Sequence, residues 1–330
     1  MSKVSAIVFH EHGVPASVAR CEELEVATPG AGEALVEMVA SPINPADLNV
    51  LEGKYPVRPS LPGVPGIVGV GRVLEVGSEV VEVSVGDLVL LPLGFGAWRE
   101  AGVTRAAGLV RVPEGVSVEQ AAMLRVNPAS ALRMLHDYVQ LGDGDWIAQN
   151  AANSAVGRAV IEIGRVRGWR TLSLVRRAEA AGELQELGGD IVLLDDEAAP
   201  DALRAATVGA PIRLALNAVG GESALRLANA LAPSGTLVTY GAMSRQPVRL
   251  PNGLLIFRDL RCRGFWLTRW SDQATGSERA GMFLELFELA RQGCFRQPVE
   301  ARYTLQDCEK ALLHAGRAGR SGKILFVSSL

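Results

Sequence analysis

Cysteine and histidine are both scarce, with four of each in 330 residues. Cys21, Cys262, Cys294 and Cys308 are widely separated, and His10, His12, His136 and His314 are similarly dispersed, so no short metal-ligand spacing is present. This excludes the familiar zinc patterns and points to a reduced, zinc-free, cytoplasmic protein. Lysine is equally rare, confined to Lys3, Lys54, Lys310 and Lys323, and the net charge is only -3. Neither a nucleic acid nor a membrane surface is therefore an expected partner. No apolar run approaches the length of a membrane span. The opening "KVSAIVFHEHG" lacks the continuous apolar segment and small-residue cleavage site of a secretory signal. What remains, 48% apolar and 21% charged, is the composition of a folded globular chain long enough for two domains.

The texture changes along the chain. "EALVEMVASPINP", "GVGRVLEVG", "VVEVSVGDLVLLP" and "GLVRVPEG" place valine and leucine at strand-like spacing between glycine and proline, which predicts a compact β-rich domain in the first third. From about Ser117, "SVEQAAMLRVNPASALRMLHDYVQL" favours helix. Strands and helices then alternate through "DWIAQNA", "SAVGRAVIEIGRVRG", "RTLSLVRR", "EAAGELQELG" and "DIVLLDD". That rhythm predicts a parallel sheet covered by helices, binding its ligand at the carboxyl ends of the strands. The closing "GKILFVSSL" is strand-like and is expected to return to the first domain.

The turn in "DWIAQNAANSAVGRAV" sits where a dinucleotide fingerprint of the form G-x-G-x-x-G belongs. Aligned on Gly157, the window reads Ala152, Asn153, Ser154, Ala155, Val156, Gly157. Small residues at 152 and 154 leave room for the backbone to approach a pyrophosphate, and Gly157 lets the helix pack closely on the sheet. The same residues also suit a plain tight turn from strand to helix. About twenty residues further on, where NAD-binding proteins carry an acidic residue for the ribose hydroxyls, the chain has Arg176 and Arg177. A planar guanidinium fork suits a 2′-phosphate, which favours NADPH, although a solvated arginine pair at a strand end is the plainer alternative.

On these motifs the chain resembles the medium-chain dehydrogenase/reductase superfamily, and within it the zinc-independent 2-enoyl thioester reductases. The collinear pieces are "SPINPADLNVLEGKYPVRPSLPGVPG", "GAWRE", "AAMLRVNPASALRML", "QNAANSAVGRAVI", "RLALNAVGG", "LVTYGAMSRQPV", "LLIFRDLRCRGFWLTRW" and "SGKILF". The resemblance implies an α/β architecture, with a Rossmann-type doubly wound parallel sheet domain at 123–272. A β-rich GroES-like catalytic domain would be assembled from 1–122 and 273–330. It also implies a homodimer, with edge strands of the cofactor domains pairing.

By the same resemblance, NADPH contacts fall on Asn127, on Asn153, Ser154, Ala155, Val156 and Gly157, and on Arg176 and Arg177. Further contacts fall on Tyr240, Gly241, Ala242 and Met243, on Phe265, Trp266, Leu267 and Thr268, and on Lys323. Without it, "FWLTRW" also reads as an apolar core strand, and Asn127 as a turn or helix cap. The family's active-site tyrosine matches Tyr55, with Asn44 as a supporting donor near the nicotinamide. Lys54 is expected in solvent. Arg269, Trp270 and Trp98 are candidates for walls of an acyl or coenzyme A entrance, with core packing the alternative for the tryptophans.

Four positions depart from relatives. Where alcohol dehydrogenases carry zinc ligands, this chain has Asn44, Ile67 and Val68. The reductases usually keep a glutamate at the place of Val68, and Ala178 replaces a third polar or basic residue after the arginine pair. The implied activity is NADPH-dependent reduction of a trans-2-enoyl thioester, on coenzyme A or acyl-carrier protein. The alternatives are a zinc-free NADPH:quinone oxidoreductase and a non-catalytic NADPH-binding protein.

Overall fold

A computed structural model describes residues 2–317, 319–320 and 322–328. Ser321 of "SGKILF" and the last two residues of the expected 273–330 segment lie outside the described residues. The chain divides into two compact units, one built from Met1–Arg125 with Arg296–Leu330, the other from Val126–Phe295.

The first unit runs β1 (Ser2–Phe9), α1 (Pro15–Val18), β2 (Ala19–Val26), β3 (Glu33–Pro42), α2 (Pro45–Leu51), β4 (Val70–Val76), β5 (Leu88–Leu90), β6 (Ala101–Arg105), β7 (Val110–Arg111) and α3 (Val118–Leu124). The second continues with α4 (Asn127–Asp137), β8 (Trp146–Gln149), α5 (Ala155–Arg167), β9 (Arg170–Val175), α6 (Ala180–Glu186), β10 (Ile191–Leu194), α7 (Ala199–Ala206), β11 (Ile212–Asn217), α8 (Gly221–Ala230), β12 (Thr236–Thr239), α9 (Asn252–Ile256), β13 (Arg261–Gly264), α10 (Leu267–Gln273) and α11 (Gly276–Arg291). The chain re-enters the first unit through β14 (Val299–Tyr303), α12 (Cys308–Gly316) and β15 (Lys323–Val327).

In the first unit, the described strands form a sheet of order β14-β15-β3-β4-β5-β7, with β6 also pairing β3, and a separate β1-β2 pair. Along β3 the side chains alternate between core and partial exposure, as a strand with one covered face requires. The core they build holds Phe9, Met38, Trp98 and Phe326, the last two ring to ring at 5.1 Å. Gly66 lies against it with φ +99°, and a Cβ there would stand 2.6 Å from Cδ1 of Trp98. Only glycine satisfies both the left-handed backbone and the contact.

In the second unit the described strands form one parallel sheet of order β10-β9-β8-β11-β12-β13. Its central strand β8 is buried throughout, as expected where helices cover both faces. Renumbered within the unit, the order is 3-2-1-4-5-6, and the winding reverses between β8 and β11.

Three local expectations change. "VVEVSVGDLVLLP" yields only the short β5. "FWLTRW" is not a core strand: α10 starts at Leu267, and Trp266 is 39% exposed. The chain leaves the second unit after Phe295, not at 272, because α11 packs on α4. Glu162 of α5 also accepts the Phe295 N–H at 2.9 Å and so ties the end of this segment to the same unit.

Candidate active site

Five of the six parallel strands deliver expected cofactor residues, or their supports, to one carboxyl rim. After β8 the backbone turns through Ala151, held at φ +48°, and the Ser154 N–H donates to the Ala151 carbonyl at 2.8 Å. Ser154 then caps α5, its hydroxyl accepting the Gly157 N–H at 3.2 Å. A Cβ on Gly157 would stand 2.5 Å from the Ala152 carbonyl oxygen, so helix and turn touch backbone to backbone. Gln149 Nε2 donates to the Gly157 carbonyl at 3.0 Å and locks α5 to the sheet. The first turn of α5 holds no acidic residue. A helix N-terminus without acidic side chains suits an anion through its amides and dipole, and Asn153 is exposed beside it.

At the end of β9, Arg176 and Arg177 are exposed and form no ion pair among the described residues. Two guanidiniums with free donors beside a phosphate-binding turn fit a dinucleotide carrying a 2′-phosphate. The loop after β12 crosses the end of β11. The N–H groups of Tyr240 and Met243 donate to the carbonyls of Asn217 and Ala218, both at 3.0 Å, and a Cβ on Gly241 would stand 2.8 Å from the Ala218 carbonyl oxygen. Ala242 and Met243 are exposed on this loop. Burial pushes the Tyr240 phenol well above its ordinary range, with the Ser154 hydroxyl opposing it.

After β13, the Phe265 N–H donates to the Thr239 carbonyl at 3.0 Å, and α4 supports the segment leading into α10. Tyr138 Oη donates to the Gly264 carbonyl at 2.8 Å, and Arg133 lies over the Trp270 ring at 4.7 Å. Leu267 is buried and Thr268 half-buried, while Asn127 is the first residue of α4.

Two buried amides that sequence reasoning missed hold this rim together. Asn150 Nδ2 donates to Asn217 Oδ1 and to Ser223 Oγ, each at 2.8 Å, and Asn150 Oδ1 accepts the Ala218 N–H at 2.7 Å. Asn217 Oδ1 accepts from the N–H groups of Val219 and Gly220 as well, and Asn217 Nδ2 donates to Thr239 Oγ1 at 3.1 Å. Asn217 ends β11 and Asn150 directly follows β8, at the point where the winding reverses. The available signal was asparagine closing an apolar run in "WIAQN" and "IRLALN".

The remaining expected residues belong to the first unit. Lys323 opens β15, and its Nζ donates to Asn44 Oδ1 at 2.7 Å. Asn44 precedes α2, and Asp47 accepts its backbone N–H at 2.8 Å. Burial pushes the Asp47 carboxyl up to about 6, against hydrogen bonds from Asn44 and Ile67 and the charge of Lys323. Burial and Arg320 bring the Lys323 ammonium down to about 8, against Asp47. Tyr55 is half-buried against the first unit's core, its N–H on the Asn49 carbonyl at 3.1 Å. Lys54 pairs with Glu52 at 2.6 Å, and Trp98 is buried in the core and walls no entrance.

At the positions of the zinc ligands, the Asn44 amide is engaged by Lys323 and the other two side chains are hydrocarbon. Val68 is 1% exposed, and its carbonyl accepts the Ser41 hydroxyl at 2.6 Å. Asp47, one turn into α2, is the acid this region does contain.

A parallel sheet of order 3-2-1-4-5-6 with a phosphate-binding first turn, in one chain with a β-rich unit closed by the C-terminal strand, defines a medium-chain dehydrogenase/reductase. Residues 30–114 match the alcohol dehydrogenase GroES-like domain, and residues 155–280 match the family described as zinc-binding dehydrogenase. The mitochondrial enoyl-[acyl-carrier-protein] reductase of Rattus norvegicus is 41% identical over 94% of this chain and 85% of its own length. Among solved structures, the Candida tropicalis enzyme Etr1p with NADP and crotonyl-CoA superposes at TM-score 0.90, with 26% identity over 99% of this chain and 100% of that one. A mycobacterial quinone oxidoreductase superposes at 0.88, with 27% identity over 98% of this chain and 99% of that one. The chain belongs to the 2-enoyl thioester reductase family of that superfamily.

This overturns the expected cytoplasmic location, since the matching relatives are mitochondrial enzymes. Four free, dispersed cysteines do not identify a compartment.

Proposed function

We propose that this protein reduces trans-2-enoyl thioesters to saturated acyl thioesters with NADPH. The observation that carries the reading is the set of first-unit residues, Tyr55, Asn44 and Lys323, in a chain whose other unit presents a tight small-residue turn at the start of α5 and two exposed arginines. Val126–Phe295 is assigned the cofactor and the remaining unit the substrate. Bound NADPH supplies the hydride that adds to Cβ. As that bond forms, the Cα–Cβ π pair shifts toward the carbonyl and charge accumulates on the thioester oxygen, where stabilisation matters most. Tyr55 is assigned the hydrogen bond to that oxygen and delivery, directly or through water, of the proton that Cα takes up. Its own proton is restored from solvent. Asn44, oriented by Lys323, is assigned the supporting donor of the reducing site.

The reaction is assigned no zinc, because Ile67 and Val68 offer no donor. The protein is proposed to pair as a homodimer along the exposed β13; Etr1p itself is described in a heterodimer with Etr2p. The second reading, quinone reduction, draws on the likeness to the mycobacterial oxidoreductase. NADPH oxidation measured with crotonyl-CoA, a long-chain enoyl-CoA and a quinone, each repeated with NADH and with a chelator, separates them. Enoyl thioester turnover that prefers NADPH and ignores the chelator is expected. Turnover of the quinone alone would replace this reading with the second.

A further inference from the structure

Asn44 and Lys323 meet a third group to which the proposed chemistry assigns no step. Asp47 is 0% exposed, and both of its oxygens are used by backbone amides: Oδ2 accepts the Asn44 N–H at 2.8 Å and Oδ1 the Ile67 N–H at 2.7 Å. Those two amides are the ends of one excursion. The chain leaves β3 at Pro42, forms α2, passes Tyr55, and comes back through Gly66 and Ile67 to enter β4. A single carboxylate therefore closes the segment that carries the tyrosine.

Inside the excursion the connection is equally short. Past α2, Gly53 turns with φ +69°, and the N–H groups of Lys54 and Tyr55 both return to the Asn49 carbonyl, at 2.8 and 3.1 Å. The backbone of Tyr55 is thus fixed to the end of α2, while Asp47 holds its start. Lys323 lies near enough to offset the buried negative charge and holds the Asn44 amide oxygen at 2.7 Å. An asparagine at 47 cannot substitute. Its amide offers one oxygen where two N–H donors need acceptors, and its NH2 would face the other donor.

We propose that Asp47 is a positioning residue of the reductase: it closes the 44–67 excursion and thereby holds Tyr55 in fixed relation to Asn44 and Lys323. The proposal rests on the assignment of Tyr55 and Asn44 to the reducing site.

The test is a double-mutant cycle on the full chain, with D47N, Y55F and the combined variant assayed with NADPH and crotonyl-CoA, and NADPH affinity followed by fluorescence. Misplacement by about an ångström can cost on the order of a hundredfold in rate, so D47N is expected to lower kcat by roughly tenfold to a hundredfold. NADPH affinity should stay within about twofold, and in the Y55F background the further loss should also be no more than about twofold. D47E, which keeps the carboxylate, should recover part of the rate. Unchanged kcat in D47N, or a D47N penalty that multiplies in full with Y55F, overturns the proposal. If D47N does not fold, D47E alone and with Y55F carries the comparison, and equal losses in both backgrounds overturn it. Failure of the underlying reading has its own signature, a wild-type protein that consumes no NADPH with any enoyl thioester, and it removes this proposal as well.

Discussion

Tyr55 is half-buried against the first unit's core, and its N–H on the Asn49 carbonyl fixes the backbone from which the ring extends. A phenol so held is suited to protonate and stabilise an enolate, help typically worth about a hundredfold to ten-thousandfold. Y55F should therefore lose activity toward crotonyl-CoA on that scale while its NADPH affinity, read by fluorescence titration, stays unchanged. Arg176 and Arg177 carry the opposite expectation. Charge-assisted hydrogen bonds contribute about 1.5–3 kcal/mol each, so the double alanine variant should weaken NADPH binding by roughly tenfold or more and leave NADH binding nearly untouched. Equal losses for both nucleotides would place the arginines elsewhere. The exposed place of the pair at the end of β9 was legible in the sequence, because where a strand ends is a local property. Asp47 was not, although Asn44-Pro45-Ala46-Asp47 carries a helix-capping pattern, because its second acceptor serves Ile67, twenty residues on.

Among the elements, α5 bears most of the cofactor argument. Replacing Ser154 with alanine removes its cap and should cost about 1 kcal/mol of stability, whereas glycine should cost only a few tenths. Any side chain at Gly157 meets Ala152 backbone, so G157V should abolish NADPH binding. Further along the helix, Glu162 is 3% exposed, and burial pushes its carboxyl up to about 7, against the Phe295 N–H and the charges of Arg158 and Arg165. The folded state therefore holds a proton that the unfolded state releases near 4.5. The stability this provides is complete below that pH and is lost as pH rises through about 7. E162Q keeps an acceptor for Phe295 and does not titrate. Its Tm should gain on wild type from pH 5 to pH 8, by up to roughly 3 kcal/mol of stability, and a pH-independent difference would contradict this account. The helix itself was readable from its periodicity. Its tie to Phe295, which sets where the chain leaves the unit, spans more than a hundred residues and was not.

For the whole molecule, the edge of the parallel sheet is the feature with a consequence. All four residues of β13 are exposed. The N–H groups of Arg261 and Phe265 bond inward to the Gly235 and Thr239 carbonyls, so the alternate N–H groups, those of Cys262 and Gly264, face outward. An open edge of this kind is a template for another strand. The protein should sediment as a dimer, and Cys262→Pro, which removes an outward N–H and leaves the inward pairs intact, should shift it toward monomer. A wild-type monomer at micromolar concentration would dismiss the pairing.

By itself the sequence determined what is local: the alternation that makes a parallel sheet, the small-residue turn between β8 and α5, and an exposed arginine pair at the end of β9. Tertiary structure decided what is assembled. Asn44, Asp47 and Lys323 share one cluster although the last lies some 280 positions from the first, and Asn150 meets Asn217 across two neighbouring strands. Periodicity reports only which face of its own element a residue occupies. Whether a buried polar group finds its partner depends on strand order and register, and these are settled when the whole core closes.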